Sequence, residues 1–312
     1  MSSTEQPSIE PPTPWGLRGP HHEIACWSAG DPAGPAVVLL MGNTMPGSFW
    51  PADFRARLVA SGLHTTHFDY RDIGASTHGV FTEHPYDLLD LTDDVIALAD
   101  ALGRERVHLV GLSMGGFIGL LAALRHPDRV AGLTTMMSTG DYTVLLDATL
   151  HGREPRHTTP PPPREDWARA VAGIPTDQPY AELLAESFAL ACGSRGDTDR
   201  SYWREQLTAN APDPARTMAF DHKQAADRTS ENWLNLLPSL TRVEAPTLVV
   251  QGEDDPIFPP PNGRLIADAV PGAHLLTVPG MGHMLEPAFH DRLATAIATH
   301  IQEAEDKHPG HT

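Results

Sequence analysis

The sequence predicts an α/β fold, a mostly parallel sheet flanked by helices, with a helical insertion late in the chain. Three observations carry that reading. Short apolar runs alternate with amphipathic helical stretches, the rhythm of βαβ units. The run 36–41 is apolar throughout and β-branched at Val37 and Val38, as a strand buried on both faces requires. The alternation then stops between about 140 and 240 and resumes at Pro246, so one long segment stands outside the sheet.

Taken in order, residues 22–28 and 36–41 read as strands joined by a turn through Gly30, Pro32, Gly34 and Pro35. A helix over 51–61 precedes a strand over 64–70. Residues 86–102 form a long amphipathic helix whose apolar face carries Leu88, Leu91, Val95, Ile96 and Leu98. A strand over 107–110, a helix over 115–126 and a strand over 130–137 follow. Strands over 246–250 and 274–278, with helices over 262–270 and 287–301, complete the series. The intervening stretch has the proline run 160–163, helical patches near 167–171 and 180–191, and the aromatics Trp167, Tyr180, Phe188, Tyr202, Trp203, Phe220 and Trp233. The expected organisation is a disordered tail over 1–19, a core over 20–140 and 240–303, a helical lid over 141–239 and a polar tail over 304–312.

Composition narrows the function classes. The 312 residues are 40% hydrophobic, enough for a sizeable core. With 40 acidic against 22 basic residues the net charge is −18, which argues against nucleic acid and anionic membranes as partners. The two cysteines, Cys26 and Cys192, have neither metal-ligand nor redox spacing and read as free thiols. Residues 1–15 lack the apolar core of a secretory signal, and the runs 36–41 and 117–124 are far short of a membrane span. The expectation is a cytoplasmic, soluble protein. No metal-ligand cluster or dinucleotide fingerprint is visible, so neither metal nor cofactor is implied.

The strongest motif is Gly111-Leu112-Ser113-Met114-Gly115, which fits G-x-S-x-G. It follows a strand directly and opens a helix directly. A serine presented there sits on a sharp strained turn, and Gly111 and Gly115 remove the clashes that bulkier neighbours would make. The turn sets the hydroxyl beside a helix N-terminus, where N–H groups favour developing negative charge. Ser113 is therefore the candidate nucleophile.

A serine nucleophile needs a base and a residue to orient it. In open α/β sheets both emerge from the C-terminal ends of strands. Glu253, Asp254 and Asp255 follow the strand 246–250, and Pro279-Gly280-Met281-Gly282-His283 follows the next strand. His283 is the candidate base. His126 reads as a helix end, and His274 begins a strand and points away from this edge. Asp255, three residues beyond Gly252 and just before Pro256, is the preferred acid; Asp254 reads as a solvated neighbour or turn cap, and Asp141 is the alternative position. Oxyanion donors are expected from the backbone N–H groups of Met114, next to the nucleophile, and Asn43, after the strand 36–41.

With these residues placed, the chain resembles the α/β-hydrolase superfamily over about 21–140 and 240–303. Met41-Gly42 stands where most members have His-Gly. Asp69-Tyr70-Arg71-Asp72-Ile73-Gly74-Ala75-Ser76 matches D-x-R-G-x-G-x-S, with Asp72 in place of glycine. Together with His84-Pro85-Tyr86, Asp255-Pro256-Ile257 and the segment 279–283, these motifs resemble aclacinomycin methylesterase and related polyketide-tailoring esterases, which hydrolyse a carbomethoxy ester on an anthracycline. That group carries Met-Gly-Gly where this chain has Met41-Gly42-Asn43, and the lid shows little match. The resemblance implies a triad of Ser113, Asp255 and His283, oxyanion donors at Asn43 and Met114, and a carboxylesterase without a cofactor.

The expected substrate is a small-molecule ester, apolar and polycyclic, with a small alcohol leaving group. The aromatics of 141–239, with Met45, Met136 and Met137 nearby, suit planar rings. Serine rather than aspartate at the elbow argues against epoxide hydrolase and dehalogenase chemistry. A lactonase, thioesterase, acyltransferase or C–C hydrolase would use the same triad, and a non-catalytic binding protein is the remaining alternative.

Overall fold

The computed structural model describes residues 13–155, 159–196 and 198–307. Eight strands form one sheet in the order β1-β2-β4-β3-β5-β6-β7-β8. They are β1 Thr13–Arg18, β2 Glu23–Ala29, β3 Ala36–Leu40, β4 His64–Phe68, β5 Val107–Leu112, β6 Val130–Met136, β7 Thr247–Gly252 and β8 His274–Val278. β2 runs antiparallel to both its neighbours, and the pairings from β4 through β8 are all parallel.

The apolar run read as β3 is fully buried because both faces of the sheet are covered. Successive side chains of a strand point to opposite faces. Val38 and Leu40 accordingly enter one core, and Val37 and Leu39 the other. The first core lies under α2 Leu88–Ala101, α3 Met114–Arg125 and α11 Pro261–Ala269. The second lies under α1 Ala52–Ala60 and the C-terminal α12 Pro287–Lys307. α2 begins with a capping box: the Asp87 carboxylate accepts the Leu89 and Asp90 N–H groups, and Asp90 accepts the Asp87 N–H.

The segment between β6 and β7 contains α-helices and no strand among its described residues. They are α4 Thr143–Thr149, α5 Glu165–Ala172, α6 Tyr180–Leu190, α7 Arg200–Asn210, α8 Pro214–Thr217, α9 Lys223–Arg228 and α10 Glu231–Leu234. Its two ends are stitched together by a bridge between Asp141 and Asn235, and Leu236 N–H donates to the Gly140 carbonyl at 2.8 Å. The sheet resumes with β7, α11 Pro261–Ala269, β8 and α12 Pro287–Lys307.

Two expectations need correction. Residues 13–18, expected within a disordered tail, form β1, registered against β2 from Thr13↔Ser28 to Arg18↔Glu23. Residues 304–307 continue α12, and Glu305 reaches His108 Nε2 at 2.8 Å. The rest of both expected tails, 1–12 and 308–312, lies outside the described residues. No helix among the described residues is long and apolar enough to cross a membrane. Both cysteines are free thiols, and burial pushes each up to about 12.

Candidate active site

Ser113 occupies the turn between β5 and α3 with φ 57 and ψ −119, a backbone region that L-residues reach only under strain. The surrounding glycines make the turn possible. A Cβ on Gly111 would collide with the Gly115 carbonyl, and one on Gly115 with the Leu40 carbonyl of β3. Ser113 N–H donates to the Met136 carbonyl at 2.9 Å, and the Ser138 hydroxyl donates to the Ser113 carbonyl at 2.8 Å. The strained serine is thus pinned by the last residue of β6 on one side and by Ser138, just beyond that strand, on the other.

β7 and β8 each deliver one further candidate residue to the same sheet edge. The Asp255 carboxylate is fully buried and accepts the Ile257 and Phe258 N–H groups at 2.8 and 3.0 Å. The same carboxylate faces His283 Nδ1, at 3.1 Å from Oδ1 and 3.0 Å from Oδ2. His283 is 7% exposed, its ring 5.7 Å from that of Phe258. With Nδ1 committed to the carboxylate, Nε2 is the ring nitrogen left for proton transfer. The other acid candidates are engaged elsewhere. Asp254 Oδ2 accepts the Ser194 N–H at 2.8 Å, and these bonds to Ser194 hold its carboxyl below the usual range. Asp141 Oδ1 accepts the Thr143 hydroxyl at 2.6 Å and the Thr143 N–H at 2.9 Å. His274 stands exposed at the start of β8.

Asp254 is therefore not merely a solvated neighbour. It belongs to a set of bonds that fasten residues 191–196 of the insertion to the acid and histidine loops. His283 N–H donates to the Ala191 carbonyl at 2.8 Å, Arg195 N–H to the Gly280 carbonyl at 3.0 Å, and Gly193 N–H to the buried Glu286 at 3.2 Å. No residue pattern marks this strap, because its donors are main-chain groups that any residue supplies.

On the other side of Ser113, the loop after β3 comes close to the serine. A Cβ on Gly42 would lie 3.3 Å from Ser113 Cβ and 3.8 Å from its Oγ. Neither the Asn43 nor the Met114 backbone N–H has a protein acceptor among the described residues. The loop is held at its far end by Asp69, which accepts the Gly47 N–H at 2.6 Å and the Ala75 N–H at 2.7 Å. Burial raises the Asp69 carboxyl to about 6. The glycine-to-aspartate departure at position 72 has a local explanation. Asp72 sits at φ 63, where glycine is the usual occupant, and its carboxylate accepts the Gly79 N–H at 2.6 Å and the Tyr86 hydroxyl at 2.8 Å.

The aromatics of the insertion do not gather into one platform. Phe188 and Trp203 pack edge to face at 5.7 Å inside the core cluster that also holds Met45, Met136 and Met137. Phe220 packs against Phe81 and Tyr86 at 5.1 and 5.9 Å, Trp233 lies under Arg125, and Tyr180 is exposed.

A serine at a strained strand–helix turn after β5 and a buried aspartate–histidine pair on the loops after β7 and β8, at one edge of a mostly parallel sheet, define a hydrolase-type α/β protein. Comparison with known proteins agrees. The model of the alpha/beta hydrolase fold family matches residues 35–285, and the chain belongs to that family. It is 33% identical over 294 residues to the rhodomycin D methylesterase DauP of Streptomyces sp. strain C5, covering 90% of this chain and 96% of that protein. It is 32% identical over 297 residues to the rhodomycin D methylesterase DnrP of Streptomyces peucetius, with the same coverage. Among solved structures, the 2-hydroxy-6-oxo-6-phenylhexa-2,4-dienoate hydrolase of Rhodococcus sp. strain RHA1 superimposes with a TM-score of 0.71 at 19% identity, over 95% of this chain and 100% of that one. That likeness reflects the fold.

Proposed function

We propose that this α/β hydrolase is a serine carboxylesterase acting through an acyl-enzyme on Ser113. The observation that carries the reading is the buried Asp255–His283 pair at 3.0 Å, on the sheet edge that presents Ser113 at φ 57. His283 Nε2 takes the Ser113 proton as the oxygen attacks the ester carbonyl, while Asp255 holds the ring and stabilises its protonated form. The Asn43 and Met114 N–H groups receive the oxyanion, each contributing about 3 kcal/mol in the transition state. His283 then protonates the departing alcohol, and water repeats the sequence on the acyl-enzyme.

The substrate we propose is a carbomethoxy ester of a bulky polyketide-like molecule, with methanol leaving and residues 141–239 acting as the lid over it. Two relatives named as methylesterases, matched along nearly their whole length, support this. We place the reaction in the cytoplasm, in keeping with the two free thiols. The test is to incubate the purified chain with a carbomethoxy-bearing polycyclic polyketide and measure methanol and free acid. Equimolar release that disappears in Ser113→Ala is expected. Binding of the ester without release of either product would make the chain a binding protein, and preferential transfer to added alcohol would make it an acyltransferase.

A further inference from the structure

The side chain of Asn43 makes two reciprocal bonds to the insertion. Its Nδ2 donates to Asp221 Oδ1 at 2.9 Å, and its Oδ1 accepts the His222 N–H at 2.9 Å. The partners lie 178 and 179 residues away in sequence. Asp221 is itself fixed: Oδ1 also accepts the Lys223 N–H at 2.9 Å, and Oδ2 stands 3.2 Å from Lys223 Nζ. His222 is fully buried, and its Nε2–H donates to the Arg71 carbonyl at 3.0 Å. Arg71 in turn grips Asp94 through two bonds, at 2.7 and 2.8 Å. Thr217 and Thr229, flanking this segment, bond Gly74 and Leu88 of the core at 2.9 and 3.0 Å. The segment 217–229 is therefore a fixed abutment, not a loose flap.

What it abuts is a loop under strain. Thr44, the residue after Asn43, has φ 64, a left-handed conformation unfavourable for a β-branched side chain. A strained, half-buried loop relaxes unless something over-determines its shape. The backbone N–H of Asn43 lies in that loop, beside Gly42 and hence beside Ser113.

We propose that Asp221 is a positioning residue for catalysis: by clamping the Asn43 carboxamide, it holds the strained 42–45 loop so that the Asn43 backbone N–H stays aimed at the oxyanion. The helical insertion thereby takes part in transition-state stabilisation. This rests on the esterase reading, in which Asn43 N–H is an oxyanion donor. A donor displaced by about 1 Å loses most of its effect, and losing one outright costs about 100- to 1,000-fold in kcat.

The experiment measures kcat and KM with p-nitrophenyl acetate, the rate of inactivation by an alkyl p-nitrophenyl phosphonate, and the melting temperature, for wild type and four variants. In Asp221→Ala, kcat and the inactivation rate are expected to fall together by about 10- to 100-fold, with KM within about threefold of wild type. Asp221→Asn, whose Oδ1 still accepts from Asn43, recovers most of that loss. Lys223→Ala removes the ion pair on the same carboxylate but leaves the clamp, and stays within about twofold of wild type. Should Asp221→Ala fail to fold, Asn43→Ala removes the clamp from the core side and keeps the backbone N–H, so the same fall is expected there. A folded Asp221→Ala or Asn43→Ala with wild-type kcat and inactivation rate overturns the proposal, as does a change confined to KM. A wild-type chain that neither turns over nor labels would instead overturn the esterase reading, so the two failures are distinguishable.

Discussion

Asp255 holds His283 by Nδ1 at 3.0 Å, while its sequence neighbour Asp254 turns the other way and holds Ser194 of the insertion at 2.8 Å. Two adjacent carboxylates therefore have separable consequences. Asp255→Asn presents an amide to the imidazole and favours the wrong tautomer, and kcat is expected to fall by about 10⁴-fold. Asp254→Asn keeps an oxygen for the Ser194 N–H and is expected to stay within about threefold. Steady-state kinetics on both, with Asp141→Asn as a third variant, checks the choice. Equal losses at 254 and 255, or the largest loss at 141, would overturn it.

The elbow makes a prediction about stability as well as rate. At Gly115 the added Cβ of alanine meets the Leu40 carbonyl, and backbone cannot swing aside as a side-chain end can. Gly115→Ala is expected to lower stability by about 1–3 kcal/mol and to abolish phosphonate labelling even where the chain still folds. A urea titration with a labelling assay reads both. Wild-type labelling by a folded Gly115→Ala would mean that the turn tolerates a different path.

Acid sensitivity follows from buried histidines. Burial lowers His67 from 6.5 to about 3, with the Arg55 charge adding to it, and lowers His222 from 6.5 to about 4. Both stay neutral in the folded chain but bind protons in the unfolded chain below 6.5, so folding stability is fully present above pH 6.5 and is lost as pH falls toward 4. Asp69 opposes this in part. Its carboxyl is raised from 3.8 to about 6, so the folded chain holds the extra proton in that window and the Asp69 contribution declines as pH rises through it. Two histidines against one carboxylate leave a net loss on acidification. The urea midpoint is expected to fall between pH 7 and 4.5, and His222→Gln should flatten that slope. A midpoint that rises over this interval would contradict the sign.

Substrate size is the next test. Paired methyl esters of equal intrinsic reactivity, one on a polycyclic scaffold and one on a short alkyl chain, are compared by kcat/KM. The polycyclic ester is expected to win by more than tenfold. A ratio within about threefold, under 1 kcal/mol of discrimination, would replace the polyketide reading with a general esterase. The packing of Phe188 and Trp203 into the core means that recognition rests on fewer aromatics than their number suggests.

Much of this was legible in the sequence because the signals were local. A continuous apolar run marked β3, and the glycines around Ser113 announced a turn whose contacts forbid a Cβ. The spacing of Asp255 beyond Gly252, and of His283 on a glycine-rich loop, put each at the end of its strand. β1 escaped notice because Thr13–Arg18 is an edge strand containing Pro14 and Gly16, largely exposed, and pairs through main-chain groups. The Asn43–Asp221 clamp and the 191–196 strap escaped because they join residues distant in sequence through bonds with no periodic pattern.

The central claim, that Ser113 is the nucleophile, is tested most directly by intact-protein mass spectrometry after exposure to a serine-directed phosphonate. Wild-type chain is expected to gain one phosphonyl adduct, with the modified peptide containing Ser113, and folded Ser113→Ala to gain none. Stoichiometric labelling of Ser113→Ala would contradict the account.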